Sequence, residues 1–430
     1  MAQRTRRRDA PWRAGPAVWF AVTGALGLAG VGLIGSRPDV VAVGLPLGLW
    51  AVVALTTTAP GPVSIGIASR PDEHGRLRDD IQVRSEAEIV ELLLTQSART
   101  RTRILLPGIS TVRASSRALH SGPLRAVETR ARPLAADAGM LGRRTPPMGV
   151  TRTVHPVRTR LAALPLAPRL TGLHGAHEGA RTGPGGDFRD IHPFAPGDEL
   201  RRVDWKATAR AARRPGDLLV RRTNALSDAS VVIAMDTADD LGAVVATWGT
   251  TDRERCGVTS LDQARAAARS IAEATIAEGD RVAFHTLAHG GRSVRGGSGP
   301  RHLARLVDEI SACGQGGDDA RFRRTPVVPH GSLIYVLSTF FDGAAAEIAL
   351  RWRAAGHRVI AVDVLPELDR TRLTAEKTLA LRVLLTERRD MFRELAASGV
   401  DTVPWDEGAA VALGALARSA GAPRAGARRR

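Results

Sequence analysis

The sequence predicts a membrane-anchored α/β protein: two transmembrane helices, then a small β-rich domain, then a Rossmann-like domain built on a parallel sheet. Three observations predict it. Two uncharged apolar stretches near the N-terminus are each long enough to cross a bilayer. Short alternating apolar runs punctuated by glycine and proline follow them. After Asp228, short apolar runs alternate with segments of helical periodicity.

The anchor occupies residues 1–61. Ala14 to Gly35 carries no charged residue, against the ~20 apolar residues that a spanning helix needs, and Val40 to Thr58 is again uncharged. Ser36-Arg37-Pro38-Asp39 between them reads as a polar turn. An Arg-rich start followed by one apolar stretch also fits a cleaved signal peptide, but a second stretch so soon afterwards favours a helical hairpin. Trp19 and Trp50 suit the headgroup level, and Arg4 to Arg13 before the first helix place the N-terminus in the cytoplasm. Two crossings return the chain to that side, so the expectation is a multi-pass cell-membrane protein with cytoplasmic soluble domains.

From residue 62 to 181, Val63, Ile65 and Ile67 alternate, as do Ile81 and Val83, with apolar runs at Ile89 to Leu94 and Ile104 to Leu106. Short strands joined by turns make this a small β-sandwich or barrel. Gly172 to Gly186 reads as a loop, and its His174 and His177 as solvated histidines without ligand-type neighbours.

In the 430-residue chain, hydrophobic residues make up 43%, enough for a core, and only Cys256 and Cys313 are present, so no disulfide framework holds the fold. The formal net charge of +17 is spread along the chain, with concentrations at the termini, including a basic tail at 421–430. Aromatics are 4% of residues, and no zinc-finger, helix-turn-helix or RNA-binding signature appears. The charge therefore argues for anionic lipid rather than a specific nucleic acid.

In residues 229–420 the strand Ser230 to Met235 ends at Asp236. Helical Leu261 to Glu278, a strand at Arg281 to Leu287 and a helix at His302 to Ile310 follow. Strands at Ser332 to Ser338, His357 to Leu365 and Val400 to Val403 alternate with helices at Ala344 to Ala355, Leu379 to Ala397 and Ala409 to Ala417. Alternation of this kind gives a parallel sheet with helices on both faces and a ligand face at the carboxyl ends of the strands, where Asp236 and Ser338-Thr339 fall.

Between these regions, residues 182–228 carry a dense motif. Pro196-Gly197 reads as a turn, with Asp198 capping a helix from Glu199. Arg201, Asp204, Lys206 and Arg210 around Trp205 read as an ion-pair network with Asp187, Arg189 and Asp190 that packs the tryptophan. As a whole the segment resembles the hallmark of the bacterial domain-of-unknown-function 58 (DUF58) family. Gly186, Phe188, Arg189, Pro196, Gly197, Asp198, Arg201, Asp204, Trp205, Ala209 and Arg210 match it, with Phe194 where an aromatic is expected.

The resemblance implies the whole organisation, with an α/β domain similar to the von Willebrand factor A type. It also implies a scaffold or adaptor that binds protein partners: a MoxR-type AAA ATPase and membrane proteins with transglutaminase-like domains. It supplies no catalytic residues. Von Willebrand A domains hold Mg²⁺ through Asp-x-Ser-x-Ser. Here Asp236-Thr237-Ala238-Asp239-Asp240 keeps the first aspartate, loses an oxygen at Ala238 and has Asp240 in place of the second serine. Thr339 stands where a later aspartate belongs, and Asp342 is read as pointing elsewhere. The expectation is a degenerate metal site at Asp236 and Asp240 without a bound ion, no other cofactor, and no enzyme, since no nucleophile elbow, P-loop or HExxH motif occurs. The alternatives are a divalent-metal-dependent enzyme using Asp236 and Asp240, or binding of nucleic acid or anionic lipid by the basic surface.

Overall fold

Two apolar helices open the described chain in the computed structural model. It describes residues 13–56, 62–71, 76–96, 100–135, 139–168, 170, 177–182, 188–211, 214, 217–250, 255–288, 291–316 and 325–421. The arginines before Arg13, the basic tail, His174, Asp187, and Gly186 of the hallmark lie outside them. The chain divides into two compact units, residues 1–119 with 124–154, and residues 120–123 with 155–430.

In the first unit, a two-residue strand β1 (Arg13–Ala14) leads directly into α1 (Pro16–Ile34), and a turn leads to α2 (Pro38–Thr56). Both helices are long and apolar enough to cross a membrane. They pack closely because small residues line the contact: a Cβ on Gly32 would come within 2.5 Å of the Val41 side chain. Pro38 opens α2, two residues before the expected start, because proline suits the first turn of a helix.

The rest of that unit is an antiparallel sheet of β2 (Ser64–Pro71), β3 (Arg76–Gln96), β4 (Thr100–Arg117), β5 (Gly122–Leu134), β6 (Met140–Leu141) and β7 (Met148–Val154), with β1 paired to β6. The strands are longer than the short runs expected. β3 pairs with β2 through its first half and with β5 through its second, while β4 follows both halves across a bulge between Arg84 and Ile89. Gly108 permits the bulge, since a Cβ there would lie 2.1 Å from the Ala87 carbonyl oxygen. Ile81, Val83, Val90, Leu92 and Val127 form the core of this sheet.

The second unit begins earlier than the expected boundary near residue 181. Residues 155–168 and 170 have no regular structure, yet Leu164 and Ala167 are buried in the main core and Leu161 and Leu170 pack against it. A three-stranded sheet follows, with β8 (His177–Thr182) and β9 (Phe188–Pro193) on either side of β10 (Leu219–Ser227). A 3-10 turn (Leu200–Arg202) and α3 (Trp205–Ala211) connect β9 to β10.

The parallel sheet then assembles in the alternating order that the sequence predicts: β11 (Ser230–Asp236), α4 (Ser260–Ala277), β12 (Arg281–Leu287), β13 (Ser293–Gly297), α5 (Pro300–Ala312), β14 (Leu333–Ser338), α6 (Ala344–Ala354), β15 (Arg358–Asp363), α7 (Ala375–Ala397), β16 (Asp401–Pro404) and α8 (Ala409–Gly421). The spatial order is β13-β12-β11-β14-β15-β16, parallel except for β13, an edge strand absent from the sequence reading. Alternate residues of β11 enter two cores. Val231, Ile233 and Met235 meet α4, α5 and α8, while Val232 and Ala234 meet α6 and α7.

One polar cluster fastens α4. Asp262 forms a capping box with Thr259 and also accepts from the Ser121 amide (2.7 Å) and hydroxyl, with His120 Nδ1 at 2.7 Å. Burial opposes the charge of Asp262, but the contacts from His120 and Ser121 hold its carboxyl below the usual range. Arg265, 1% exposed, donates through Nε and Nη2 to the Cys313 carbonyl (2.9 and 2.7 Å) and through Nη1 to the Ser121 carbonyl (3.0 Å). Arg265→Ala removes one partner of this buried set and leaves Asp262 and two carbonyls without it. Stability should fall by about 3–5 kcal/mol, read by denaturant unfolding, whereas Arg281→Ala at an exposed guanidinium should cost less than about 1 kcal/mol.

Candidate functional site

The chain runs from β11 outward to β12 and β13, then returns to place β14 on the other side of β11. The reversal makes the carboxyl ends of β11 and β14 the topological switch point, where open α/β sheets form their ligand crevice. Asp236 ends β11 and Ser338 ends β14, so the two residues that the sequence placed at the strand ends do meet. Ser338 Oγ donates to Asp236 Oδ2 at 2.7 Å, and the Ala238 amide donates to Oδ1 at 3.0 Å. Ser338 Oγ also accepts from the Phe340 amide (2.9 Å), which holds Phe340 at a φ of 56°.

Burial pushes the Asp236 carboxyl up to about 6, against the Ser338 and Ala238 hydrogen bonds, and the charges of Asp342 and Asp239 add to the rise. Asp239 is raised in the same way, by burial and by Asp342, while Thr339 Oγ1 donates to it at 3.4 Å. Asp342 acts on both through its charge, and its carboxylate accepts from the Ala344 amide at the start of α6 (3.1 Å). Asp342 and Asp239 are the carboxylates whose charges raise Asp236.

A six-coordinate Mg²⁺ needs several oxygens converging at about 2.1 Å from one point. Both Asp236 oxygens accept hydrogen bonds, Ala238 brings no side-chain oxygen, and among the described residues no three carboxylates of this group bring their oxygens within 4.8 Å of one another. Beside them Arg388 of α7 pairs with Asp363 at the end of β15, donates to the Thr339 carbonyl (2.6 Å), and lies over the rings of Phe392 (4.8 Å) and Phe341 (5.4 Å). No sequence signal marks Arg388, which is one arginine among several on its helix.

Among the described residues, one His/Asp/Glu group does bring its ligand atoms within 4.8 Å of one another: His177, Glu278 and Asp280. His177 is thus not a solvated loop residue. It starts β8, with Nε2 at 2.9 Å from Asp280 Oδ2, while Asp280 Oδ1 accepts from the Ala229 amide at 2.8 Å. The trio sits at the amino ends of β11 and β12, away from the switch point, and stitches β8 to the parallel sheet.

The hallmark residues form a rigid knuckle on β9 and β10. Gly197 takes a φ of 98° in the turn. Asp198 does not cap a helix from Glu199. Its carboxylate accepts from the Ala195 amide (2.9 Å) and lies 3.4 Å from His192 Nε2, closing the turn instead. The cap belongs to Asp204, whose Oδ1 accepts from the Ala207 amide at 2.9 Å and whose own amide donates to the Leu219 carbonyl. Val203 is buried and bridges Val220.

Arg201 pairs with Glu199 (2.6 Å). Trp205 and Leu200 are each 66% exposed, and Phe188, with Arg221 above its ring at 5.4 Å, is exposed as well. Pro196, Ala209, Arg189 and Arg210 complete the described part of the motif. Cys256 and Cys313 are buried and not joined in a disulfide, and burial pushes the Cys313 thiol up to about 12, away from the thiolate form.

The Asp236 environment sets a pH dependence. Its folded pKa lies above the ordinary 3.8, so the stability from burying the neutral acid is present below about pH 4 and is lost as pH rises through about 6. Asp236→Asn should remove that fall. From pH 4.5 to 7.5 the variant should gain on the parent protein by about 2 kcal/mol, read as paired melting curves; parallel profiles would show that Asp236 is not held protonated.

Over 221 residues, 49% of this chain, the sequence is 28% identical to an uncharacterized protein of Mycobacterium bovis and to uncharacterized proteins from two strains of Mycobacterium tuberculosis. The matched stretch spans 65% of the length of each relative, just under two thirds. Residues 190–382, from the hallmark knuckle through the switch point to the first turns of α7, match the family described as "Protein of unknown function DUF58".

Proposed function

We propose that this chain is a membrane-anchored adaptor that docks a protein partner on the hallmark knuckle. The observation that carries the reading is the outward presentation of Leu200 and Trp205 on a fixed scaffold. Between them Val203 is buried and Asp204 is tied to Leu219, so the exposure of the two large apolar side chains does not come from a loose loop. Rigid tryptophan and arginine side chains that are already ordered lose little entropy on binding and dominate protein interfaces. Arg201 and Arg210 beside them favour an acidic partner surface.

The family resemblance supports a MoxR-type AAA ATPase as that partner, with a transglutaminase-like membrane protein as a further member of the assembly. The strand order of the parallel sheet, with one antiparallel edge strand, supports the von Willebrand factor A-like reading. The arginines before Arg13 support a cytoplasmic placement of both soluble parts. A non-enzymatic role is supported by the switch point itself, where Asp236, Ser338, Asp363 and Arg388 are engaged with one another and with backbone groups.

A photo-crosslinking residue in place of Leu200, in the full-length protein in native membranes, should yield an adduct with an AAA ATPase identified by mass spectrometry. Binding of that purified ATPase to the solubilised protein should weaken about tenfold or more on Trp205→Ala. Unchanged binding in both Trp205→Ala and Leu200→Ala would overturn the knuckle as the docking surface.

A further inference from the structure

A second feature, in the first unit, is carried by charge rather than by apolar surface. A cavity of about 640 Å³ is lined by Arg13, Arg132, Leu141, Gly142, Arg143 and Arg144, within the ~300–1,000 Å³ of small-ligand pockets. Four guanidinium groups thus face one space. Among the described residues, the one carboxylate in ion-pair contact with any of them is Glu91. That side chain is 3% exposed, pairs with Arg132 and Arg103, and lies 3.9 Å from Arg144. Neither Arg13 nor Arg143 has an ion-pair partner among the described residues. Among the described residues the lining therefore carries a net excess of positive charge, and burial lowers the pKa of Arg132, a cost that an anion would offset.

The wall that carries these arginines is fixed. The Gly142 amide donates to the Pro133 carbonyl (2.9 Å), the Thr145 amide to the Ala131 carbonyl (2.7 Å), and the Ala131 amide back to Thr145 Oγ1 (2.9 Å). A Cβ on Gly142 would come within 2.5 Å of the Pro133 ring. Arg143 and Arg144 thus project from a strand-edge segment stapled to β5 at both ends. The opposite side is set by β1, where Arg13 pairs with Leu141, Ala14 pairs with Met140, and the Gly15 amide donates to the Gly139 carbonyl at 2.7 Å.

Position decides what the cavity is for. α1 starts at Pro16, three residues after Arg13, and an extended chain advances only about 3.3 Å per residue. If α1 begins where the hydrocarbon begins, the backbone of Arg13 lies within about 10 Å of it, in the headgroup layer. Guanidinium groups bind phosphate oxygens through paired N–H donors, and several can share one phosphate. We propose that the four-arginine cavity binds the phosphate of an anionic phospholipid headgroup in the leaflet from which α1 enters the membrane. The proposal rests on the reading of α1 and α2 as a membrane hairpin.

The test uses full-length protein reconstituted in bilayer discs of phosphatidylcholine with or without phosphatidylglycerol, and reads the lipid retained on extraction by native mass spectrometry. The unaltered protein should retain phosphatidylglycerol over phosphatidylcholine. Arg143→Ala/Arg144→Ala should lower that preference about tenfold or more, and Arg143→Lys/Arg144→Lys should restore part of it. Arg37→Ala serves as the control, because Arg37 lies in the turn between the helices, paired with Asp39, and should change nothing.

Equal retention in the alanine variant and the parent protein, or an equal loss in the Arg37 control, would overturn the cavity as the site. If inorganic phosphate in phosphatidylcholine discs raises the melting temperature as much as phosphatidylglycerol does, the ligand is a soluble phosphate and the headgroup assignment falls. Alkaline carbonate washing of native membranes separates the premises. Release of the protein would show that the hairpin reading has failed, whereas retention without lipid preference would refute the cavity alone.

Discussion

A single buried guanidinium, that of Arg265, holds three separate stretches of the second unit in place. It sits on α4, gives two donors to the carbonyl that ends α5 and two to Ser121, and lies 3.6 Å from Asp262 on its own helix. A charge so fully removed from water persists only where its donors find acceptors and its counter-charge is near. The turn at His120–Pro123 therefore cannot shift without stranding it, and the turn is shaped to fit: Gly122 has a φ of 89° and a Cβ there would lie 2.6 Å from Arg265 Cζ. α4 held in this way presents Ala264, Ala268 and Ile271 to β11, and the position of β11 sets where Asp236 emerges. The strand-end group thus inherits its geometry from a polar contact on the far side of the helix layer.

The parts of the fold legible in the sequence are those whose signal is local. Ser230 to Asp236 and Leu333 to Ser338 are buried on both faces and read as uninterrupted apolar runs, and the hairpin reads from the absence of charge alone. β8, β9 and β13 (His-Glu-Gly-Ala-Arg-Thr, Phe-Arg-Asp-Ile-His-Pro and Ser-Val-Arg-Gly-Gly) show no alternation, because they are edge strands fixed by their neighbours rather than by a buried face. Asp236 and Ser338 were visible as strand ends. Asp342 and Arg388 were not, because what defines them is proximity between separate elements (Arg388 meets Thr339, 49 positions away), which no spacing encodes. His177 was misread for the same reason: its partner Asp280 is 103 positions away.

The two surfaces of the second unit differ in how their chemistry is used. At the switch point three side chains engage a neighbouring carboxylate: Ser338 on Asp236, Thr339 on Asp239, Arg388 on Asp363. A general base or nucleophile requires a free lone pair in reach of a substrate. On the knuckle the balance reverses. Its polar residues Asp198 and Asp204 are consumed in building the turn, while the apolar Leu200 and Trp205 are left outside. Apolar surface held in water by a rigid backbone costs free energy that only contact with another surface recovers. That contrast is what supports the docking role proposed for the knuckle.

The first unit applies a related constraint at its membrane end. A flexible linker after α1 or before it would let a soluble domain drift by several ångströms for each residue added. Here β1 is paired to β6 and passes into α1 through one residue, Gly15, whose own amide is hydrogen-bonded. Tilting of the helix start must therefore move the sheet edge with it, and Arg13, Arg143 and Arg144 keep a fixed depth relative to Pro16. Fixed depth is what a headgroup site requires, because an arginine displaced outward from the headgroup layer meets screened, solvated charge, and one displaced inward must be desolvated. A short strand pairing of two residues adds little stability by itself. Its significance lies in joining the anchor to the arginine-lined wall, so that a basic cluster which composition alone reads as diffuse charge becomes a site of defined geometry.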